Sequence, residues 1–376
     1  MDYKVKDFSL SEEGKKKVEF AKDNMKVLSY IKELYSVDKP FRNLTIATCL
    51  HITKETAVLL EYLKELGGNI VACPSNPLST KDDIAAYLAK HGIKIFAWSG
   101  MNNEEYEWAL RRALDYYPDL IIDDGADLIV YSHRRNRINI IGATEETTTG
   151  VNRIRKLEYE GKLKYPVIAV NNAETKWDFD NVYGTGQSVI DGIMRATNIM
   201  IAGKIVVVAG YGHVGRGIAS RARGMGARVV ITEVDPIKAL RAVMDGYEVM
   251  RMDDAIEIGD IFITATGCKD VITRKHFRKM KDGAILANAG HFNVEISVRD
   301  FERYSKEKKI FRNNLTMYEI FGKRLFLIAD GRLVNLVAAE GNPSEVMDLS
   351  FSNQLLSLIY ILKNKAVSYT HLRAHE

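Results

Sequence analysis

The apolar run Lys204-Ile205-Val206-Val207-Val208-Ala209 passes without a break into Gly210-Tyr211-Gly212-His213-Val214-Gly215, and a stretch able to form a helix follows over 217–222. Strand, glycine turn and helix in that order make the opening of a dinucleotide-binding βαβ unit. Gly210 permits the tight turn, Gly212 lets backbone approach a phosphate, and Gly215 lets the helix pack closely on the strand. The first N–H groups of the helix then face an anionic pyrophosphate. A second strand, 228–232, ends at Glu233, about 20 residues beyond the motif, as such sites require. A carboxylate there accepts hydrogen bonds from ribose hydroxyls and repels a 2′-phosphate. The expected cofactor is therefore NAD, held by Gly210, Gly212, His213, Val214, Gly215 and Glu233. Thr266, in Thr264-Ala265-Thr266-Gly267, follows the strand 261–263 at the same carboxyl edge.

The same alternation of β-branched runs and helical periods extends through most of the chain. Strands are expected at 44–48, 69–72, 93–98, 119–123 and 167–170, with helices at 56–66, 81–90, 104–117 and 144–162. A second series runs from 204–209 to 284–288. The reading is α/β, with two Rossmann-like, doubly wound parallel-sheet domains. Residues 1–183 would bind substrate and 184–345 NAD, coupled by an ordered hinge, and a helix over 346–365 would return to the first domain. At 376 residues there is chain enough for two cores.

A net charge of +4 gives no reason to expect nucleic acid or a membrane as partner. The 3 cysteines are widely spaced and the N-terminus lacks an apolar signal core, which suits a soluble cytoplasmic protein. The segment 366–376 reads as a non-native tail and is excluded from the fold. His371 and His375 have the spacing of a helical metal pair, but they lie in that tail and no metal is expected.

Polar clusters sit at the ends of the apolar runs: Leu50-His51-Ile52-Thr53-Lys54-Glu55, Asp123-Asp124-Gly125, Glu145-Glu146-Thr147-Thr148-Thr149-Gly150, Thr175-Lys176-Trp177-Asp178-Phe179-Asp180-Asn181, and Asn288-Ala289-Gly290-His291-Phe292. Taken singly, each has an ordinary structural reading. His51 could be a strand-end histidine, Asp123-Asp124 a loop or cap, the threonines a helix cap, and Lys176 with Asp180 a surface i,i+4 pair. Together, and in order over residues 5–364, they resemble the S-adenosylhomocysteine hydrolase family, as do Thr185-Gly186-Gln187-Ser188, Thr232-Glu233-Val234-Asp235-Pro236 and Gly331-Arg332-Leu333-Val334-Asn335-Leu336. The Thr-Gly-Gln form looks like a shorter prokaryotic, often thermophilic, subgroup.

The resemblance implies reversible hydrolysis of S-adenosyl-L-homocysteine to adenosine and L-homocysteine, a step of the methyl cycle, by a homotetramer with tightly bound NAD. A thioether at C5′ of a nucleoside is a poor leaving group with no acidic neighbour. Oxidising the ribose 3′-hydroxyl makes the C4′ proton acidic, its removal expels the thiolate, water adds, and the ketone is reduced again. Carried over by resemblance, Lys176 and Asp180 serve the 3′-oxygen and His291 lies on its cofactor side. Asp124 faces C4′ and His51 acts at the 5′ position. Thr53 and Glu146 hold ribose hydroxyls, Glu55 and Asn342 lie at the base, and Thr147, Thr148, Thr149, Asn181, Ala289 and Asn335 contact NAD.

Four positions depart from the family pattern: Asn342 in place of a histidine near the base, Thr185 in place of a cysteine, His213 in place of an aspartate, and Lys238 in place of a small polar residue. A C-terminal segment that carries a lysine and a tyrosine to the cofactor of a neighbouring protomer is also expected and is replaced by the tail. An S-inosyl substrate would use the same catalytic residues. A catalytically silent NAD-binding homologue would lose such positions, whereas this chain keeps His51, Asp124, Lys176, Asp180 and His291. An ordinary dehydrogenase would release its reduced cofactor.

Overall fold

The computed structural model describes residues 2–137, 139–364 and 372–373. The 366–376 tail, with His371 and His375, lies outside the described residues apart from the backbone of Leu372–Arg373. The chain divides into two units, Met1–Trp177 with Ser344–Glu376, and Asp178–Pro343. The final long helix, Ser344–Lys363, is part of the first unit.

The first unit holds β1 (Tyr3–Lys4), β2 (Thr45–Leu50), β3 (Asn69–Pro74), β4 (Lys94–Phe96), β5 (Leu120–Asp123), β6 (Gly142–Glu145) and β7 (Val167–Ala169). They form one sheet in the order β1-β4-β3-β2-β5-β6-β7, extended at β7 by Leu372–Arg373, and every pairing is parallel. Alternate residues feed two cores, as a parallel sheet covered on both faces demands. Ile46, Ile122 and Ile168 point to one, shared with Leu355 and Leu358 of the last helix. Ala47, Ile121 and Val167 point to the other.

The sequence reading of a helix over 144–162 is corrected here: Gly142–Glu145 is a strand, and the helix spans Thr148–Tyr159. Gly-Ala-Thr-Glu lacks the β-branched run that marks the other strands. The glycine is there because a Cβ at position 142 would come within 2.8 Å of Ile361 Cγ2 on the last helix.

The second unit holds β8 (Ile205–Ala209), β9 (Arg228–Thr232), β10 (Glu248–Val249), β11 (Ile261–Thr264), β12 (Ile285–Asn288), β13 (Ser305–Arg312), β14 (Leu315–Ile320) and β15 (Lys323–Ile328). Their order is β10-β9-β8-β11-β12-β15-β14-β13, parallel as far as β15 and antiparallel beyond it. The two doubly wound sheets read from the sequence are thus present. The ribbon β13–β14 was not read, because the charged, exposed Ser305–Arg312 shows no alternation.

Both sheets reverse direction between their first and fourth main strands, β2/β5 and β8/β11. Ligands of open α/β sheets bind outside the carboxyl ends of the strands at such switch points. Among the described residues no helix is long and apolar enough to cross a membrane.

Candidate active site

In the first unit, His51 leaves the end of β2 and Asp124 the end of β5, so both stand at that sheet's switch point. His51 Nε2 lies 3.5 Å from Asp124 Oδ2, and its Nδ1 lies 2.5 Å from Ser79 Oγ. The Ser79 hydroxyl donates its single proton to the Asn76 carbonyl at 2.8 Å. It therefore accepts from His51, which places the ring proton on Nδ1 and turns Nε2 toward Asp124. Ser79 was missed by the sequence reading, since no fixed spacing links it to His51.

Thr53 caps the helix Lys54–Glu65, and Glu55 in its first turn is buried. Glu55 Oε1 accepts from Lys54 Nζ at 3.0 Å and from Ser344 Oγ at 2.7 Å. Glu146 is buried at the end of β6, where the Ser350 hydroxyl and the Gln354 amide donate one hydrogen bond to each of its oxygens. Lys176 Nζ stands 3.5 Å from the same carboxylate. Lys176 is 3% exposed and Asp180 6%, so the surface-pair reading of those two is overturned.

Beneath these groups lie two further acids, Asp123 and Glu145, register partners at the ends of β5 and β6 and both fully buried. Asp123 accepts from the N–H groups of Asp124 and Ile129. Glu145 Oε1 accepts from Gly125 N, Thr147 N and Thr147 Oγ1 at 2.8–2.9 Å, so one carboxyl oxygen ties the loop after Asp124 to the loop after Glu146. Burial pushes the Asp123 carboxyl up to about 7, and burial together with Asp123 raises Glu145 well above the usual carboxylate range. Thr147 caps the helix Thr148–Tyr159 through a bond from Gly150 N, and Thr148 Oγ1 accepts from Asn171. Thr149 lies in that first turn, half-buried.

In the second unit the glycine loop has the shape the sequence demands. Gly210 has φ +97°, and a Cβ on Gly215 would lie 2.0 Å from the Gly210 carbonyl oxygen. Gly212 precedes the helix His213–Gly224, which carries His213, Val214 and Gly215 in its first turn. Glu233, at the end of β9, accepts from Tyr211 N with one oxygen and from Val234 N and Asp235 N with the other. Thr266 is held at the end of β11 by Glu295, a buried acid the sequence reading overlooked, which accepts from Thr266 N, Thr266 Oγ1 and Gly267 N. Lys238 pairs with Asp235 at 3.5 Å.

Asn288 braces the turn that carries Ala289 and His291, donating to the carbonyls of Gly290, Phe292 and Gly331. The His291 ring packs edge-on to Phe292. Asp180 and Asn181 lie on Trp177–Gly184, a π-helix, the wide-turn form that collects at functional sites. Asn335 is buried, and its Oδ1 has no hydrogen-bond partner among the described residues. Such an acceptor suits the carboxamide of a nicotinamide, and with the glycine cradle it makes the unit fit NAD. The Asn342 side chain contacts Asp180, Thr185, Ser188 and Asn335.

Residues 2–139 match the family model for S-adenosyl-L-homocysteine hydrolase, and 181–341 match that for its NAD binding domain. The chain belongs to the S-adenosyl-L-homocysteine hydrolase family. An adenosylhomocysteinase of Sulfurisphaera tokodaii is 57% identical, over 97% of this chain and 88% of the relative. An S-inosyl-L-homocysteine hydrolase of Methanocaldococcus jannaschii is 54% identical, over 96% and 88%. The crystal structure of a dipicolinate synthase polypeptide from Bacillus halodurans covers 85% of this chain and 99% of its own at a TM-score of 0.52 and 12% identity, which is a likeness of fold alone. The chain is thus an enzyme of this hydrolase family, and its second unit is the family's NAD-binding domain.

Proposed function

We propose that this enzyme hydrolyses S-adenosyl-L-homocysteine reversibly to adenosine and L-homocysteine by transient oxidation of the ribose 3′-carbon. The observation that carries the reading is the chemistry at the two switch points. One sheet presents a histidine–aspartate pair and a buried lysine beside a buried glutamate, while the other presents a dinucleotide cradle. When bound, NAD supplies a two-electron oxidant for the 3′-carbon and the means of reversing that oxidation. Lys176 accepts the 3′-hydroxyl proton, and Glu146, fixed by Ser350 and Gln354, holds a ribose hydroxyl. Asp124 takes the C4′ proton, made acidic by the neighbouring ketone. His51, when protonated at both ring nitrogens, gives its Nε2 proton to the departing thiolate. The neutral ring that remains, its proton kept on Nδ1 by Ser79, then takes one from the water that replaces the thiolate.

Adenine is favoured over hypoxanthine by Glu55. Its carboxylate can only accept, and its bonds from Lys54 and Ser344 both fall on Oε1. A 6-amino group donates to such an oxygen, whereas a 6-oxo group meets it acceptor to acceptor. The adenosyl thioether should therefore exceed the inosyl one in kcat/KM on the order of ten- to hundredfold, the worth of a hydrogen bond to a charged group. Glu55→Gln, whose amide can donate as well as accept, should erase most of that ratio. An inosyl preference in the unaltered enzyme would overturn this choice of substrate.

A further inference from the structure

Asp180 lies on the π-helix Trp177–Gly184, and one brace on its carboxylate reaches it from a distant part of the same unit. The brace comes from 162 residues further along the chain. Asn342 Nδ2 donates to Asp180 Oδ1 and to Thr185 Oγ1, the latter at 3.1 Å. Its Oδ1 accepts from Ser188 Oγ at 2.7 Å and, more weakly, from Asn335 Nδ2 at 3.4 Å. The carboxylate fixes which end of the amide is which, because the reverse orientation would set oxygen against oxygen. The backbone at Asn342 is also held: Gly341 turns at φ +89° and donates its N–H to the Asn335 carbonyl at 2.9 Å. With both ends of the amide engaged and the preceding turn pinned, the side chain has one orientation to offer Asp180.

We propose that Asn342 is a positioning residue that aims the Asp180 carboxylate at the 3′-oxygen and so sets the rate of 3′-oxidation, rather than a contact of the base. The inference rests on the proposed role of Asp180. It also accounts for an amide at this place: an amide nitrogen gives Asp180 a donor that does not titrate, while the amide oxygen keeps Ser188 and Asn335 oriented. Asn342→Asp is the informative change. It keeps the shape and the acceptor toward Ser188, but removes the donor and sets a second carboxylate against Asp180.

The test mixes NAD-loaded enzyme with adenosine and follows the rise in absorbance of the reduced nicotinamide, alongside kcat and KM for S-adenosylhomocysteine, NAD content and the thermal midpoint. Asn342→Asp and Asn342→Ala should each slow the rise about 10- to 100-fold, the loss of a charge-assisted hydrogen bond. KM should change less than about threefold, with NAD content held. Asn342→Ser, a smaller donor, should recover part of the rate, and it keeps the test open should the aspartate variant not fold. The inference is overturned if the aspartate or alanine variant oxidises adenosine within twofold of the unaltered enzyme. It is equally overturned if the loss vanishes when rates are expressed per bound NAD, which would make Asn342 a cofactor-retention residue. Hydrolysis by the unaltered enzyme with no absorbance rise would instead defeat the 3′-oxidation reading itself.

Discussion

Lys176→Ala is expected to lower kcat by roughly 10²- to 10⁴-fold, the range general acid–base groups supply, while NAD stays bound. Lys176 is nearly fully buried and faces a glutamate whose two oxygens are already held by Ser350 and Gln354. Removing the lysine therefore leaves Glu146 with hydrogen-bond partners, and the fold should survive. Lys176→Arg separates the two tasks the residue could have. Arginine keeps the positive charge beside Glu146 but does not give up its proton in a protein, so it cannot accept one from a hydroxyl. If proton transfer is the role, both variants fail alike in the oxidation half-reaction. If charge alone matters, the arginine variant recovers most of the rate. Single-turnover absorbance of the bound cofactor, with NAD content measured on the same sample, decides between them.

Gly215→Ala is expected to strip NAD from the enzyme. A Cβ there would stand 2.0 Å from the Gly210 carbonyl oxygen, far inside van der Waals contact and against backbone that cannot rotate away. The turn would have to open, and with it the array of N–H groups at the start of the helix His213–Gly224. The cost lies at the upper end of the ~1–3 kcal/mol typical of overpacking, so NAD affinity should fall on the order of a hundredfold. Equilibrium titration of NAD into the apo form, with circular dichroism to show that both sheets persist, checks this. A Gly224→Ala control, at the far end of the same helix, should do less, because no atom lies within 4 Å of the added methyl and the position is remote from the glycine turn.

What could be read from the sequence follows from what is local. The glycine loop was legible because each glycine answers a backbone demand within a few residues, and Glu233 because one strand and one helix separate it from that loop. The parallel strands were legible where β-branched runs feed two cores. Gly142–Glu145 was not, since its glycine answers to Ile361 far along the chain. The same distance hid the braces of the site. Ser350 reaches Glu146 from 204 residues away, Ser344 reaches Glu55 from 289, and Glu295 reaches the Thr266 loop from 29. No spacing rule predicts such pairs, because they are set by how the sheets close. Asn342 shows the same limit: resemblance gave no sign that its side chain contacts Asp180, Thr185, Ser188 and Asn335, partners up to 162 residues away.

On the proposed mechanism the ribose is oxidised and restored within each turnover. Incubating adenosine with the enzyme in heavy water and locating deuterium by nuclear magnetic resonance tests it most directly. Deuterium is expected at C4′, where the acidic proton is lost and regained, with the original hydrogen kept at C3′ and no exchange in Asp124→Asn. Hydrolysis of the thioether at full rate with C4′ still carrying its original hydrogen would contradict it.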